Sequence, residues 1–320
     1  MSRPPLGIGL LGLGTVGSAV GRAFADRQQR IDAAAGRPVR LVAAAVRDPA
    51  KARDAGGVAV VSDPFAILDD PAVAIVVEMI GGHRPAVDLL NAAFERGKHV
   101  VTANKEAVAK DWNALHETAR LAKRELRFEA AVGGAVPVVR GIRDLGAVRP
   151  RVLRGMLNGT TTYICSRLDA GIGFAEALAE AQAKGYAEPD PTDDIDGLDA
   201  AYKLAILVSL LDGRHVHPDQ VRRTSLRTAS PADAAAAAAR GMRLRYIAVA
   251  DFGAKATKCR VGPEEVAADS PEGQAIGPTN VIRLESDLAA TLTWSGPGAG
   301  GDATASAILA DVIAIARSVR

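Results

Sequence analysis

The stretch LGIGLLGLGTVGSAV, residues 6–20, decides the fold of this chain. Residues 6–11 form an apolar run that predicts a buried strand, and the residues after the glycines carry apolar side chains at helical spacing. Gly12, Gly14 and Gly17 form the pattern G-x-G-x-x-G at the junction of these two elements. In this order of strand, glycine turn and helix, the pattern predicts a dinucleotide-binding unit.

Each glycine of this loop has a physical role. Gly12 permits the tight turn, Gly14 lets the backbone approach a pyrophosphate, and Gly17 lets the helix pack closely on the strand. The start of the helix, at Thr15 and Val16, presents backbone N–H groups and the positive end of the helix dipole to a phosphate. The alternative is a glycine-rich turn that holds no ligand.

Strands and helices continue to alternate after this motif. The sequence predicts helices at 15–25 and 84–96, and strands at 39–46, 58–61, 73–80 and 98–105. This alternation favours an α/β fold with a Rossmann-like, doubly wound parallel sheet.

The pattern changes at the glycine cluster VGGAVP, residues 132–137. Beyond it the sequence predicts an apolar helix at 197–212 and half-buried strands at 151–157, 243–251, 279–285 and 288–294. We expect a second, α+β domain for catalysis and dimerisation, and a final helix that returns to the first domain. The expected domains are residues 1–131 with 300–320, which bind the dinucleotide, and residues 132–299, which bind the substrate.

The overall composition excludes several classes of protein. At 320 residues, the chain is long enough for two domains with cores of their own. A net charge of +2 and 4% aromatic residues indicate no nucleic-acid partner. No window reaches the roughly 18 uninterrupted apolar residues of a membrane span. The 2 cysteines lie far apart and no signal peptide is recognisable, so we expect a cytoplasmic protein without a disulfide framework or zinc site.

The second diagnostic stretch is GYAEPDPTDDIDGLDAAYK, residues 185–203. An acid-dense turn runs directly into an apolar helix that carries one lysine, Lys203. This concentration of charge predicts a pocket for a small cationic or zwitterionic molecule, with the lysine placed to move a proton. Asp199 precedes Lys203 by one helical turn, so both lie on one face of the helix. The alternative is an ion pair on the protein surface.

The end of the second strand indicates which nucleotide is bound. An acidic residue there holds the ribose 2′-hydroxyl of NAD, whereas an arginine accommodates the 2′-phosphate of NADP. The strand ends in Val46-Arg47-Asp48, with Lys51 and Arg53 close behind. Arg47 favours NADP because arginine suits planar phosphate contacts, and Asp48 leaves NAD open.

Several motifs in order along the chain resemble those of homoserine dehydrogenases. They are GLGTVGSAV at 12–20, VVEMIGG at 76–82, GKHVVTANKEAVA at 97–109, FEAAVGGAVPVV at 128–139, LRGMLNGTTTYI at 153–164, GYAEPDPTDDIDGLDAAYKLAIL at 185–207 and GPGAGGDATASAILADVIAIA at 296–316. The resemblance implies interconversion of L-aspartate 4-semialdehyde and L-homoserine with NAD(P)H, a reaction that feeds threonine and methionine synthesis. The substrate is then a small amino acid.

The same resemblance implies roles for the acidic motif. Lys203 matches the catalytic acid/base, which moves the proton of the substrate oxygen as the hydride is transferred. Glu188, Asp194 and Asp199 match the acids on the substrate side. Glu188 is expected to face the substrate ammonium group, and Asp199 the hydroxyl or carbonyl end. The other acids, Asp190, Asp193 and Asp196, are expected to be turn formers and helix-start residues.

Further cofactor positions also follow from the resemblance. Ile80 and Gly81 are expected to line the nicotinamide pocket through their backbone, and Gly300 to lie near the cofactor. Lys105, expected at the end of a buried strand, is implied near nicotinamide or substrate. The alternative for Lys105 is a lysine whose stem packs on the sheet while its ammonium reaches solvent.

The segment after Phe128 resembles the monovalent cation site of the family. The implied ligands of a Na⁺ or K⁺ ion are the carboxylate of Glu129 and the carbonyls of Val132, Gly134 and Val136. We expect a structural ion there. A domain-crossing hinge without metal is the alternative.

Two departures from the family pattern affect the expectations. The chain reaches Arg320 directly after the last helix, so threonine feedback through a C-terminal regulatory domain is not expected. Residues 269–282 match more loosely, with Gln274 and Pro278 where apolar strand residues are typical. Exposed strands in the second domain and the resemblance together predict a homodimer.

Three other functions are alternatives to this one. Another Rossmann dehydrogenase acting on a semialdehyde or amino acid remains open. A phosphorylating aldehyde dehydrogenase requires a nucleophilic cysteine, and Cys165 lies on a predicted helix without a neighbouring histidine. A nucleotide sensor without turnover is expected to lack Lys203 or Asp199, and both are present.

Overall fold

In a computed structural model of the protein, residues 4–51, 56–253 and 256–319 are described. The chain forms two compact units. The first contains Met1–Ala135 and Gly300–Arg320, and the second contains Val136–Ala299. Residues 132–135, which the sequence analysis assigned to the second domain, lie in the first unit. None of the helices among the described residues is long and apolar enough to cross a membrane.

The strands are short and mostly buried. In chain order they are β1 Leu6–Leu11, β2 Val39–Ala45, β3 Ala59–Val61, β4 Val73–Glu78, β5 His99–Thr102, β6 Leu126–Arg127, β7 Pro150–Met156, β8 Arg222–Arg223, β9 Met242–Phe252, β10 Thr257–Ala267, β11 Thr279–Ser286 and β12 Thr291–Pro297.

The helices vary from one turn to several. In chain order they are α1 Thr15–Ala35, α2 Phe65–Leu68, α3 Ala86–Glu95, α4 Lys105–Lys110, α5 Trp112–Ala122, α6 Val138–Arg143, α7 Gly159–Asp169, α8 Phe174–Ala183, α9 Thr192–Ile195, α10 Leu198–Asp212, α11 Pro231–Ala238, α12 Pro271–Gln274 and α13 Gly301–Ser318.

The first unit is built on a parallel sheet. Among the described residues its strand order is β3-β2-β1-β4-β5-β6. The chain runs outward from β1 to β3 and then returns to β4 on the other side of β1, so the order reverses between β1 and β4. Ligands of doubly wound sheets bind at such a switch point, beyond the carboxyl ends of the strands. The predicted doubly wound sheet is confirmed.

The core of the first unit joins distant parts of the chain. Ile8 of β1 and Val77 of β4 are buried in one apolar cluster with Ile308, Val312 and Ile315 of α13. The helix α13 also packs along α1. Both faces of the central strands are therefore covered, which explains why β1 and β4 are almost continuously apolar.

The second unit contains a mixed sheet, which agrees with the second, α+β domain expected from the sequence. Its order among the described residues is β12-β11-β7-β9-β10-β8, in which β10 and β8 run parallel and the other neighbours run antiparallel. The long strand β10 was not predicted. Gly262 and Pro263 interrupt its sequence pattern, yet it pairs with β9 along its whole length.

The helix α10 positions the acidic motif. It is bounded by two glycines in the left-handed conformation, Gly197 with φ 79° and Gly213 with φ 67°. A side chain at Gly197 would also lie 2.4 Å from the hydroxyl of Tyr246. These glycines start and stop the helix sharply, so that Asp199 lies in its first turn and Lys203 one turn later.

Candidate active site

In the glycine loop after β1, the backbone and its packing require glycine at positions 12 and 17 but not at position 14. A Cβ on Gly17 would lie 2.3 Å from the carbonyl oxygen of Gly12, and Gly12 itself has φ 105°. A Cβ on Gly14 would meet no atom of the described residues within 4 Å. Gly14 is the N-cap of α1 and provides no side-chain hydrogen bond. The space at Gly14, in front of the first amides of α1, fits the close approach of a pyrophosphate.

The start of α13 lies beside this loop. A Cβ on Gly301 would lie 3.1 Å from the carbonyl oxygen of Thr15 and 3.5 Å from Cβ of Ala19. Gly300, the N-cap of α13, has φ 115°, which favours glycine. The structure thus brings Gly301, which follows the N-cap Gly300, close to Thr15, and two helix N-termini meet at the edge of the first unit where the glycine loop lies.

The end of β2 lies at the same edge, because Gly12 donates its N–H to the carbonyl of Ala45 at 2.9 Å. Arg47 and Asp48 are exposed. One carboxylate oxygen of Asp48 accepts the N–H of Ala50 at 3.0 Å and so forms a local turn. Arg53 lies outside the described residues.

The end of β4 forms a second turn at the switch point. Gly81 and Gly82 both adopt the left-handed conformation, with φ 76° and 71°, and Ile80 remains 38% exposed beside them. The N–H groups of Ile80 and Gly81 donate to the carboxylate of Glu78, at 2.7 and 3.4 Å. The predicted nicotinamide positions therefore lie on a turn held by a buried acid.

Lys105 is placed differently from the expectation. The strand β5 ends at Thr102, and Lys105 is the first residue of α4. The reason is Asn104, whose side-chain oxygen accepts the N–H of Ala107 at 3.0 Å and caps the helix. Lys105 is half-buried and still follows a strand at the switch-point edge of the first unit.

In the second unit, Lys203 and Asp199 form a buried pair. The ammonium group of Lys203 donates to Oδ2 of Asp199 and to the carbonyl oxygen of Leu157, both at 2.7 Å. The side chains are only 11% and 8% exposed, so this is not a surface ion pair. A lysine ammonium has three N–H donors, and these two acceptors leave one for a further acceptor.

Asn158 links this pair to Asp194. Its amide nitrogen donates to Oδ1 of Asp194 at 2.6 Å and to Oδ2 of Asp199 at 2.8 Å. Its amide oxygen accepts the N–H of Thr161 at 2.9 Å and caps α7. The hydroxyl of Thr160 lies 2.8 Å from Oδ2 of Asp194. Burial and then the charge of Asp199 raise the pKa of Asp194. We call Lys203, Asp199, Asn158 and Asp194 the polar network.

Asn158 and Thr160 are site residues that were not predicted from the sequence. Their signal is the segment NGTTTY after β7, where an asparagine precedes a helix as an N-cap does. The sequence does not show that the capping amide also bridges two carboxylates, because Asn158 and Asp194 meet only in the fold.

Glu188 lies outside the polar network. Its side chain is exposed, and its carboxylate forms no hydrogen bond or ion pair with a described residue. The remaining acids occupy turns and surfaces. Asp190 accepts the N–H of Thr192 at 3.1 Å, Asp196 pairs with Arg227 at 3.4 Å, and Asp193 is exposed in the first turn of α9.

The segment expected to bind a cation is buried. Glu129 is 2% exposed, and its N–H donates to Oδ2 of Asp311 at 2.8 Å. Val132 and Gly134 follow in a buried loop, in which Gly134 has φ 58°. The carbonyl of Val136, in the second unit, accepts the N–H of Val138 at 2.8 Å. A buried carboxylate and a glycine loop fit a monovalent cation, which prefers oxygen ligands.

Neither cysteine has the environment of a nucleophile. Cys165 and Cys259 are both unpaired by disulfide and buried. Burial raises the pKa of Cys165 to about 12 and that of Cys259 to about 11. Because the thiolate is the reactive form, a cysteine-dependent aldehyde dehydrogenase reaction has no support at these positions.

Comparison with known proteins identifies the family. The family profile described as homoserine dehydrogenase, NAD binding domain, matches residues 12–129, and the homoserine dehydrogenase profile matches residues 137–313. A homoserine dehydrogenase of Pseudomonas aeruginosa is 36% identical over 317 residues, which cover 98% of this chain and 73% of that protein.

Solved structures agree with this match. A homoserine dehydrogenase from Thiobacillus denitrificans has a TM-score of 0.96 at 37% identity, and the match covers 99% of this chain and 74% of that one. A hyperthermophilic archaeal homoserine dehydrogenase in complex with NADPH shares the fold, with a TM-score of 0.83, 23% identity and 99% coverage of both chains.

The two profiles span both units, and the first includes the glycine loop while the second includes the polar network. The relatives match over nearly the whole chain. The chain therefore belongs to the homoserine dehydrogenases, a family of oxidoreductases that act on a CH–OH group with a nicotinamide cofactor.

Proposed function

We propose that this chain interconverts L-aspartate 4-semialdehyde and L-homoserine, with Lys203 as the acid/base of the reaction. The observation that carries the proposal is the polar network, in which a buried lysine is held by Asp199 and Leu157 with one N–H direction remaining. The reaction belongs to threonine and methionine biosynthesis.

Lys203 has the chemistry that the substrate oxygen requires. When bound, the nicotinamide cofactor supplies or receives the hydride. In the reductive direction the aldehyde oxygen gains a proton from the remaining N–H of the Lys203 ammonium, which leaves a neutral amine. In the oxidative direction the neutral amine of Lys203 receives the proton of the hydroxyl group. Asp199 fixes the ammonium group, and Asn158 fixes Asp199, so the proton donor keeps one orientation.

The substrate roles follow from charge. A substrate amino group is a cation, and the exposed carboxylate of Glu188 is its proposed partner. We assign Asp194 and Asp199 to the substrate side as well, because both carboxylates belong to the polar network. Lys105 is proposed to contact the nicotinamide or the substrate.

The proposed cofactor positions lie at one edge of the first unit. Gly12, Gly14 and Gly17 with the amides of Thr15 and Val16 hold the pyrophosphate, Ile80 and Gly81 the nicotinamide end, and Gly300 adds a second helix start. We favour NADP over NAD, because Asp48 already serves a local turn while Arg47 is exposed. The archaeal homoserine dehydrogenase of the same fold was solved with NADPH.

We further propose a structural Na⁺ or K⁺ ion on Glu129 and the carbonyls of Val132, Gly134 and Val136. The burial of Glu129 and of the glycine loop that follows it supports the proposal, because a carboxylate and backbone carbonyls are the oxygen ligands that such cations prefer. Thermal unfolding in KCl, NaCl and choline chloride at equal ionic strength tests it. A melting temperature that is equal in all three salts contradicts the ion.

Homodimerisation and a cytoplasmic location complete the proposal. The edge strand β12 pairs only with β11 among the described strands, and unpaired edges invite pairing with another chain. Two buried free cysteines suit a reducing compartment. Sedimentation equilibrium tests the dimer, and a monomer mass at assay concentration contradicts it.

The first experiment measures NADPH formation from L-homoserine and NADP, repeated with NAD. Wild type is compared with Lys203→Ala and with Lys184→Ala, a control that removes an exposed lysine of the second unit. We expect Lys203→Ala alone to lose turnover, while dinucleotide binding remains. Wild type that binds the dinucleotide but does not oxidise homoserine contradicts the proposed substrate. The variant Arg47→Ala tests the nucleotide preference, because it should weaken the binding of NADP and leave the binding of NAD unchanged.

A further inference from the structure

Glu78 is a buried acid at the end of an otherwise apolar strand. The strand β4 reads VAIVVE, and the side chain of its last residue has no exposed surface. Removing a carboxylate from water is unfavourable unless donors compensate it. A side chain of this kind therefore needs a structural or functional reason at its position.

The carboxylate of Glu78 joins three parts of the first unit. Oε1 accepts the N–H groups of Ile80 and Gly81, at 2.7 and 3.4 Å. Oε2 accepts the hydroxyl of Thr102, at the end of the neighbouring strand β5, at 2.5 Å. Glu78 thus ties the turn after β4 to the end of β5.

Asn104 closes the same arrangement from the other side. Its N–H donates to Oγ1 of Thr102 at 3.0 Å, and its side-chain nitrogen donates to the carbonyl of Gly82 at 2.7 Å. Its side-chain oxygen caps α4, which begins at Lys105. Two side chains, Glu78 and Asn104, therefore fix the turn at 80–82 and the start of the helix that carries Lys105.

This arrangement lies at the switch point of the parallel sheet. The strand β4 is the neighbour of β1, and a Cβ on Gly12 would lie 3.0 Å from the carbonyl oxygen of Met79. The turn therefore adjoins the glycine loop. Among the described residues, however, the side-chain hydrogen bonds of Glu78 reach the turn, Thr102 and Asn104, and none of them reaches the glycine loop or α1.

We propose that Glu78 is a positioning residue for the nicotinamide end of the cofactor, which acts through the turn at 80–82 and, with Asn104, through Lys105. The adenosine and pyrophosphate end is held by the glycine loop and does not depend on Glu78. This inference rests on the proposed function, because it assumes a dinucleotide with its nicotinamide at this turn.

The test separates the two ends of the cofactor. Isothermal titration calorimetry measures binding of NADP⁺ and of 2′-phospho-ADP-ribose, which lacks the nicotinamide, to the full chain. For Glu78→Ala we expect affinity for NADP⁺ to fall about tenfold, which corresponds to the loss of one good hydrogen-bonding anchor, and affinity for 2′-phospho-ADP-ribose to remain within about twofold. If wild type prefers NAD⁺, the same pair is NAD⁺ and ADP-ribose.

Glu78→Gln is the conservative rescue. A glutamine keeps one oxygen for the N–H groups of Ile80 and Gly81 and has a nitrogen that donates to Thr102, so it should restore most of the NADP⁺ affinity. Asn104→Ala removes the hydrogen bond to the carbonyl of Gly82 on the other side of the turn. It should also weaken binding of NADP⁺ and spare 2′-phospho-ADP-ribose, and it serves as the test if Glu78→Ala does not fold. Glu95→Ala, at an exposed acid that ends α3, is the matched control and should change neither affinity.

Each outcome decides a separate point. Equal losses for NADP⁺ and 2′-phospho-ADP-ribose in both turn variants would mean that Glu78 only supports the sheet, and this result overturns the inference. Unchanged binding of both ligands also overturns it. Wild type that binds neither dinucleotide contradicts the proposed function instead.

Discussion

The ammonium nitrogen of Lys203 lies 2.7 Å from Oδ2 of Asp199, and both side chains are almost entirely buried. The same carboxylate oxygen accepts the amide of Asn158 at 2.8 Å. A cation and a neutral donor are therefore among the partners of the Asp199 carboxylate, in a place where water contributes little. The energetics of this pair lead to the first prediction.

Replacing one partner of the Lys203–Asp199 pair should destabilise the fold more than replacing both. Removing one member of a buried ion pair leaves an uncompensated charge and typically costs about 3–5 kcal/mol. We expect Lys203→Met to lower the free energy of unfolding strongly, and the double variant Asp199→Asn/Lys203→Met to lower it less. The free energy of unfolding from urea titration measures both. Additive losses would show that the two groups do not compensate each other.

Asn158 should affect turnover through its amide nitrogen and stability through its amide oxygen. Asn158→Ser keeps an oxygen that can cap α7 but removes the donors to Asp194 and Asp199. Since a hydrogen bond to a charged group contributes about 1.5–3 kcal/mol, we expect kcat to fall about tenfold or more. Steady-state kinetics with L-homoserine measures this effect.

The controls for Asn158 divide the two roles. Asn158→Ala removes the cap as well and should lower the free energy of unfolding by a further ~1 kcal/mol relative to Asn158→Ser. A serine variant with wild-type kcat would exclude a role of the amide bridge in positioning Asp199.

Gly14 and Gly17 should respond oppositely to alanine. A Cβ at Gly17 would lie 2.3 Å from the carbonyl of Gly12, so Gly17→Ala should reduce stability by about 1–3 kcal/mol through overpacking. A Cβ at Gly14 meets no described atom within 4 Å, so Gly14→Ala should fold normally. Its Cβ would occupy the space proposed for the pyrophosphate, and we expect dinucleotide affinity to fall at least about tenfold.

Thermal unfolding and nucleotide titration distinguish these two variants. If Gly14→Ala binds the dinucleotide with wild-type affinity, the pyrophosphate does not bind at Gly14. Wild-type stability in Gly17→Ala would mean that the start of α1 shifts to accept the methyl group.

His99 should make the first unit sensitive to mild acid. Burial and then the charge of Arg124 lower its pKa below 6.5, and its Nδ1 accepts the N–H of Glu125 at 3.1 Å. The folded state therefore favours the neutral imidazole of His99. Its contribution to stability is present above pH 6.5 and is lost as the pH falls through the lowered pKa.

His99→Asn tests this dependence because the asparagine oxygen can accept the same N–H without titrating. We expect the free energy of unfolding of wild type to fall more than that of His99→Asn between about pH 7 and about pH 5. His217→Asn, at a half-exposed helix cap, is the matched control. Parallel curves for wild type and His99→Asn would contradict the prediction.

The elements that the sequence predicted well are those with strong local signals. The apolar run of β1 and the glycines after it, and the apolar stripe of α10 behind an acidic turn, agree with the structure to within a residue or two. Other boundaries moved. The helix α1 continues to Ala35, with a kink at Arg27, whose φ of −128° and ψ of 20° are not helical. The strand expected at 288–294 lies at Thr291–Pro297, after a turn in which Ala290 has φ 51°.

In the candidate site, local sequence patterns predict some contacts between residues and not others. Lys203 and Asp199 were identified because one helical turn relates them, and that relationship is visible in the sequence. The bonds of Asn158 to Asp194, and of Glu78 to Thr102, join residues 36 and 24 positions apart. Such contacts depend on which strands and helices become neighbours, and no periodicity encodes that choice.

The packing of α13 on α1 determines the order in which the two units are completed during synthesis. Ile308, Val312 and Ile315 belong to the same buried cluster as Ile8 of β1, yet all of Val136–Ala299 precedes them along the chain. A ribosome therefore delivers every strand of the second unit while the nucleotide-binding sheet still lacks one covering helix. We expect the later-encoded unit to fold first, and the earlier-encoded one to wait in a partly open state with apolar surface that a chaperone can bind.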